Sequence, residues 1–132
     1  MSDYLLAAER QAESFGVTIQ TVYPPNGLWG CYLHEARTIL MRPKLGAMQR
    51  DWVLWHELGH AAHGHVGTTP RQEREANEWA VANMLDPASI NSSVLPGMTI
   101  QEAAATLGVY PAAIRELRAM RSRIGPIDMY TS

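Results

Sequence analysis

The chain has 132 residues, 46% of them hydrophobic and 18% charged, a length and composition typical of one globular domain and not of a disordered segment. A formal net charge of −2 argues against non-specific nucleic-acid binding by the chain as a whole. A single cysteine excludes an intrachain disulfide, and no apolar run reaches the roughly 18 residues that a membrane-spanning helix needs.

The first third of the chain predicts one helix followed by a small sheet. Residues 3–14 carry apolar side chains at helical spacing, and residues 17–22 are β-branched and alternate in polarity. Two short apolar runs, 29–33 and 38–41, flank a polar stretch that is typical of a turn, so they predict a β-hairpin. We therefore expect a sheet of about three strands.

Residues 48–65 predict a helix that is apolar almost all the way round. Leu54, Leu58 and Ala61 lie on the side opposite its histidines, and tryptophan and alanine side chains fill much of the rest. A helix of this kind is buried on most of its faces.

The two following helices each begin with a capping box, in which a threonine and the residue three positions later satisfy free backbone N–H groups. The capping pairs are Thr69 with Gln72 and Thr99 with Glu102. The first helix is expected over residues 70–85, where Asp86-Pro87 stops it, and the second over residues 100–107.

The C-terminal region 97–123 resembles a helix-turn-helix pair. Ala104 is the small residue of the first helix, Gly108 makes the turn, and Val109 and Ile114 are the apolar anchors. A DNA-reading helix needs polar or basic residues at its start, whereas the second helix here begins with Pro-Ala-Ala. Four arginines that could contact phosphates come later: Arg115, Arg118, Arg121 and Arg123. We therefore interpret the pair as part of the fold and do not expect DNA binding.

The helix over 48–65 carries the sequence His56-Glu-Leu-Gly-His60. Histidines four positions apart project from one helical face, so both imidazoles can reach one ion, and imidazole suits Zn²⁺. Glu57 lies beside that face, where it can take the proton of a zinc-bound water. Such polar groups on a buried helix are costly unless something satisfies them. We therefore predict His56 and His60 as zinc ligands and Glu57 as the catalytic base, in preference to hydrogen-bonded core histidines.

A catalytic zinc takes three protein ligands and leaves one position open. The next helix offers three glutamates, of which Glu73 shares a face with small and apolar residues and with Asn77. Glu75 and Glu78 point elsewhere, and Glu75 is the leading alternative. We predict Glu73 as the third ligand and Asn77, one turn later, as a hydrogen-bond partner of a ligand.

The histidines that follow His60 receive weaker roles. His63 shares the zinc face and is predicted to support the site from outside the coordination sphere, with substrate or oxyanion contact as the alternative. The metzincin pattern requires glycine at position 63 and histidine at 66, so it fails on His63 and Val66. His65 misses that register by one and lies on the opposite side of the helix, so we interpret it as the polar end of the helix.

These motifs together resemble a known family. The sequence His-Glu-Leu-Gly-His-x-x-x-Gly-His, then Glu-x-Glu-Ala-Asn-x-x-Ala and an apolar stretch ending at Asp86-Pro87, is similar to the ImmA/IrrE metallopeptidases over about residues 3–121. The resemblance implies a three-stranded sheet, an active-site helix and a downstream helix. It also implies the ligands His56, His60 and Glu73 and the base Glu57. Trp79 replaces a common phenylalanine of the family, which puts little in doubt.

We predict one α+β domain over residues 1–132, with a small three-stranded sheet packed on the HExxH helix. Residues 1–86 form the sheet and the zinc-site helices, and residues 97–123 form the helix-turn-helix-like pair. Cys31 is interpreted as an ordinary buried thiol, in preference to a regulatory ligand of the zinc. The four tryptophans are predicted core residues: Trp29, Trp52, Trp55 and Trp79.

The predicted function is that of a cytoplasmic zinc-dependent endopeptidase. The resemblance implies that the substrate is a helix-turn-helix transcriptional repressor of a phage, a mobile element or a stress regulon. Two rivals stay open: a regulator that binds a repressor or DNA without cleaving it, and a toxin- or antitoxin-type effector. The intact Glu57 argues against the first rival, because a protein that only holds zinc has no need of that residue.

Overall fold

The computed structural model describes residues 2–85 and 97–124, and for residues 121–124 it describes the backbone alone. Within these residues the chain forms five α-helices and a three-stranded sheet, which confirms the predicted α+β class. In chain order the elements are α1 (Asp3–Phe15), β1 (Thr18–Thr21), a 3-10 turn (Pro25–Gly27), β2 (Gly30–Leu33), β3 (Thr38–Met41), α2 (Ala47–His63), α3 (Pro70–Met84), α4 (Ile100–Leu107) and α5 (Pro111–Ile124). The predicted stop at Asp86-Pro87 lies outside the described residues.

The sheet has the strand order β1-β3-β2. Strands β2 and β3 pair antiparallel, with Cys31 opposite Leu40, so the predicted hairpin is confirmed. Strand β1 pairs parallel with β3, with Ile19 opposite Ile39. Strand β3 is therefore central, and β2 is an edge strand whose outer side has no strand partner among residues 2–85 and 97–124.

Helix α2 forms the centre of the core. Ten of its 17 residues are buried, and it packs against α1, α3, β2 and β3, which explains why its sequence is apolar nearly all round. Two hydrogen bonds tie it to the N-terminus. The Ser2 hydroxyl donates to the buried Asp51 carboxylate at 2.8 Å, and the Trp55 indole N–H donates to the Tyr4 carbonyl at 3.1 Å.

Helix α3 starts at the predicted capping box. The Thr69 hydroxyl accepts from the Gln72 N–H at 3.2 Å, and the Gln72 side-chain oxygen accepts from the Thr69 N–H at 3.0 Å. Helices α2 and α3 approach closely where Gly59 faces Ala76, since a Cβ built on Gly59 would lie 2.6 Å from the Ala76 carbonyl oxygen. This contact brings the polar side chains of the two helices together.

Helices α4 and α5 form the predicted helix-turn-helix-like pair. The Thr99 capping box is present, Gly108 adopts a left-handed φ of 69°, and Ala104, Val109 and Ile114 are buried. Helix α5 packs against α3, so the pair is continuous with the rest of the core. The Arg118 side chain donates to the Met98 carbonyl, which assigns one of the four arginines a structural contact. The side chains of Arg121 and Arg123 lie outside the described residues.

The tryptophans do not all belong to the core. Trp52 and Trp55 are buried, and Trp79 is partly buried against the core. The prediction is wrong for Trp29, which is 43% exposed and contacts the edge of the Tyr110 ring. It lies next to edge strand β2, where a large side chain has no second layer to cover it. In the described part of the chain, no helix has the length and apolar character needed to cross a bilayer.

Candidate metal centre

Three side chains that the sequence analysis predicted as ligands meet at the contact between α2 and α3. The Nε2 atoms of His56 and His60 are 3.2 Å apart. One oxygen of the Glu73 carboxylate lies 2.8 Å from His56 Nε2, and the other lies 3.3 Å from His60 Nε2. Among the described residues, this is a group whose nitrogen and oxygen atoms lie close enough together to hold one metal ion.

The far sides of both imidazole rings are held by hydrogen bonds. The Asn77 side-chain oxygen lies 2.6 Å from Nδ1 of His56, and because that oxygen only accepts, His56 donates through Nδ1. Nδ1 of His60 lies 2.9 Å from Nδ1 of His65. Asn77 therefore lies one turn after Glu73 and accepts a hydrogen bond from His56, and its role as the partner of a metal ligand stays a prediction.

Glu57 lies beside this group of atoms and does not join it. Its carboxylate is 4.0 Å from His56 Nε2, and its side chain is almost fully buried. Burial raises the pKa of Glu57 to about 7, the charge on His56 lowers it, Glu73 raises it, and a hydrogen bond from the Tyr32 backbone lowers it. A carboxyl group with a pKa near neutrality can both accept and release a proton under ordinary conditions.

The protonation of the centre follows from its geometry. For His56, burial lowers the pKa, but the hydrogen bond to Glu73 and the nearby carboxylates outweigh it, so the pKa lies above 6.5. For His60, burial and the neighbouring His56 lower the pKa to about 4. The hydrogen bond from His56 holds the pKa of Glu73 below 4.5. A proton shared by His56 and Glu73 thus occupies the place that a metal ion would take.

A cleft of about 450 Å³ opens over the centre. One wall is strand β2 with the residues just before it, and the other is the loop after α2. Leu28, Trp29 and Val66 line the cleft and are 45%, 43% and 81% exposed, so its mouth is apolar. Gly30 lets β2 pass directly over α2, because a Cβ there would lie 2.6 Å from Val53 and 3.2 Å from Glu57.

His65 differs from its sequence interpretation, and Glu75 is its hydrogen-bond partner. His65 is not a polar helix end: it is 9% exposed, reaches His60, and lies 3.1 Å from Glu75. Helix α2 stops at Gly64, whose left-handed φ of 65° folds the chain back, so helical spacing no longer applies to His65. Glu75 is correspondingly half-buried and not fully solvated. The glycine before His65 was the available signal for this reversal.

His63 stacks on the ring of His65, with centroids 5.0 Å apart, and its Nδ1 donates to the Gly59 carbonyl at 2.8 Å. It is exposed and is not part of the cleft lining given by the described residues. The structure therefore places His63 two rings away from the centre, next to the residue that contacts His60. A supporting role for His63 stays a prediction.

Residues 12–116 match the family model described as the IrrE N-terminal-like domain. The chain belongs to this peptidase family. A search of curated proteins and a search of solved structures gave no significant match. The matched residues of this family member run from the second half of α1 into α5 and include every side chain of the centre. Membership supports a metallopeptidase-type function, in a family that is zinc-dependent in general.

The donor set of this IrrE-like domain fits zinc. Tetrahedral coordination at bond lengths of about 2.0–2.1 Å separates neighbouring ligand atoms by about 3.3–3.4 Å. The observed separations of 2.8, 3.2 and 3.3 Å are close to that spacing. Two imidazole nitrogens and a carboxylate are also the ligand types of zinc hydrolases that keep one position open.

Proposed function

We propose that this chain is a zinc-dependent endopeptidase in which His56, His60 and Glu73 hold the metal. The proposal is carried by one observation: three metal-binding atoms converge in a cleft, with the buried carboxylate of Glu57 4.0 Å from one of them. When bound, the zinc would supply a Lewis acid that activates water and polarises the scissile carbonyl.

Glu57 is proposed to move the proton. It takes a proton from the attacking water and later delivers it to the leaving amine, which makes it the general base and then the general acid. Its buried position beside the centre supports this assignment, because burial raises the pKa of a carboxyl group toward the range in which it exchanges protons. The hydrogen bond from the Tyr32 backbone fixes its orientation next to His56.

The substrate is proposed to bind as an extended strand on the outer edge of β2. The N–H of Arg42 donates to the carbonyl of Trp29 at 2.8 Å, so in antiparallel pairing the backbone groups of Gly30 and Tyr32 point away from β3. The Tyr32 N–H already donates to Glu57, which leaves the Gly30 backbone and the Tyr32 carbonyl as the open groups of this edge beside the cleft. The apolar mouth of the cleft favours a substrate that has a large apolar side chain close to its scissile bond.

For the identity of the substrate we propose a helix-turn-helix transcriptional repressor, on the basis of the family resemblance. The alternative is a regulator that binds such a repressor without cutting it. A buried Glu57 beside the three donor atoms favours cleavage, since binding alone has no use for a proton acceptor there.

Mass spectrometry of the repressor encoded beside this gene, incubated with the zinc-loaded chain, tests the proposal. We expect two complementary fragments with wild type and none with Glu57→Gln at equal zinc content. The control is Glu13→Gln, the same change on an exposed face of α1. An intact repressor that nevertheless co-purifies with the chain would support the binding alternative.

A further inference from the structure

We propose that His65 and Glu75 form a positioning relay that fixes the tautomer of His60 and so prepares it to bind the metal. The inference rests on the proposed zinc site. It concerns His65, which the sequence interpretation placed outside the site, and Glu75, which it gave only as the alternative third ligand. The relay runs from Glu75 Oε1 to His65 Nε2 at 3.1 Å and from His65 Nδ1 to His60 Nδ1 at 2.9 Å.

The direction of each hydrogen bond follows from the chemistry of Glu75, the residue at the outer end of the relay. An ionised carboxylate can only accept, so His65 must donate to Glu75 through Nε2–H. In its neutral form His65 carries one hydrogen, so with Nε2–H donated to Glu75 its Nδ1 is a bare acceptor. His60 must then donate through its own Nδ1–H, which leaves the lone pair of His60 Nε2 pointing at the centre.

The relay is held in place on every side. The N–H of His65 donates to the carbonyl of His60 at 3.0 Å, which closes the turn made by Gly64. The His63 ring stacks on His65 at an interplanar angle of 19°. Arg71 lies 3.9 Å from the other oxygen of Glu75, so Oε1 remains for His65. His65 is 9% exposed, and a buried imidazole with both nitrogens bonded has little freedom to turn.

The two histidines of the centre are therefore oriented in different ways. His56 makes one direct hydrogen bond, to Asn77 at 2.6 Å, whereas His60 is linked through His65 to Glu75. The link through His65 connects the His60 ring to a partly exposed carboxylate on another helix. Metal-binding histidines usually donate their second N–H to such a partner, and loss of the partner weakens metal affinity by about 10–100-fold.

The experiment compares zinc affinity, measured by chelator competition, with the tautomer of His60, read from ¹⁵N–¹H correlations of the histidine rings in the metal-free chain. We expect wild type to show the Nδ1–H form. His65→Phe keeps the ring volume and the stack on His63 but removes both nitrogens, so zinc affinity should fall by about 10–100-fold. Glu75→Ala should weaken affinity by about tenfold and mix the two tautomers of His60.

Glu75→Gln is the rescue variant, because its side-chain oxygen still accepts from His65 while the charge is gone. It should bind zinc within about threefold of wild type, a change below the range expected for a lost partner. Glu13→Ala on α1 controls for the loss of one negative charge, and urea unfolding of each metal-free variant checks that the fold survives. If His65→Phe does not fold, the comparison of Glu75→Ala with Glu75→Gln decides by itself.

His60→Ala separates the failure of the relay from the failure of the proposed function. If His60→Ala loses zinc but Glu75→Ala and His65→Phe bind it as wild type does, the relay is wrong and the zinc site stands. If Glu75→Gln loses as much affinity as Glu75→Ala, charge and not hydrogen bonding is responsible, and the relay is again wrong. Unchanged zinc binding in His60→Ala would overturn the metal site and the relay together.

Discussion

Replacing Gly59 by alanine adds one methyl group at a close contact between α2 and α3. Its Cβ would lie 2.6 Å from the carbonyl oxygen and 2.8 Å from the Cα of Ala76. Ordinary contact begins at 3.4 Å, so the helices must separate by about 0.8 Å. Zinc sites hold their ligand distances to within about 0.2 Å, so a shift of this size moves Glu73 out of reach of the two histidines. We expect zinc affinity to fall by at least about tenfold.

Gly59→Ala should lower the stability of the fold, although a glycine-to-alanine change inside a helix usually raises it. Alanine in place of glycine inside a helix ordinarily stabilises by up to about 1 kcal/mol, whereas overpacking of a tight core contact costs about 1–3 kcal/mol. Urea unfolding of the metal-free chain should therefore show Gly59→Ala to be less stable than wild type. The control is Ala62→Gly at an exposed position of the same helix, expected to lose about 0.5–1 kcal/mol with no change in zinc affinity. A Gly59→Ala chain that is more stable than wild type and binds zinc equally well would refute this reasoning.

Three further predictions concern the centre itself. The Glu57→Gln variant should still bind zinc and keep its fold, but its cleavage rate should fall by about 10²–10⁴-fold. A cleavage rate within threefold of wild type would show that Glu57 is not the base. Glu73→Ala should weaken zinc binding by more than the roughly 10–100-fold typical of an indirect partner, as measured by chelator competition, and retention of wild-type affinity would remove it from the ligand set. Zinc affinity should be full at high pH and should fall as the pH drops through the raised pKa of His56, because zinc must then displace the proton that His56 shares with Glu73. Affinity that stays constant from about pH 8 to about pH 6 would contradict this.

The features predicted best from sequence are those that depend on neighbouring residues. The capping boxes of Thr69 and Thr99 place the starts of α3 and α4, because a capping box is complete within four positions. The side of α3 that carries Glu73 follows from helical spacing, since the face with Ala76 is the one packed on α2. The burial of α2 follows from its composition in the same way.

What the sequence did not predict depends on backbone reversal or on contacts across the sheet. Helical spacing does not predict the position of His65, because Gly64 turns the chain just before it. The contact between His65 and Glu75 is therefore not predicted either. The parallel pairing of β1 with β3 joins strands that are not consecutive in the chain, and strand periodicity does not specify such a partner. The exposure of Trp29 depends on β2 being an edge strand, which alternation of polarity does not reveal.

The proposed ligands all come from two helices that are consecutive in the chain, which bears on the order of folding events. His56 and Glu73 are 17 positions apart, and closing a loop of that length costs only about 2.5 kcal/mol of chain entropy. The parallel pairing of β1 with β3, by contrast, sets Thr18 opposite Thr38, so the loop that it closes contains the whole of β2 and the hairpin turn. An ion bound by these three side chains would therefore join α2 to α3 across a short loop, before any pairing within the sheet is needed. The proposed metal centre would then be a local unit of the fold, and its formation would not depend on the order in which the strands pair.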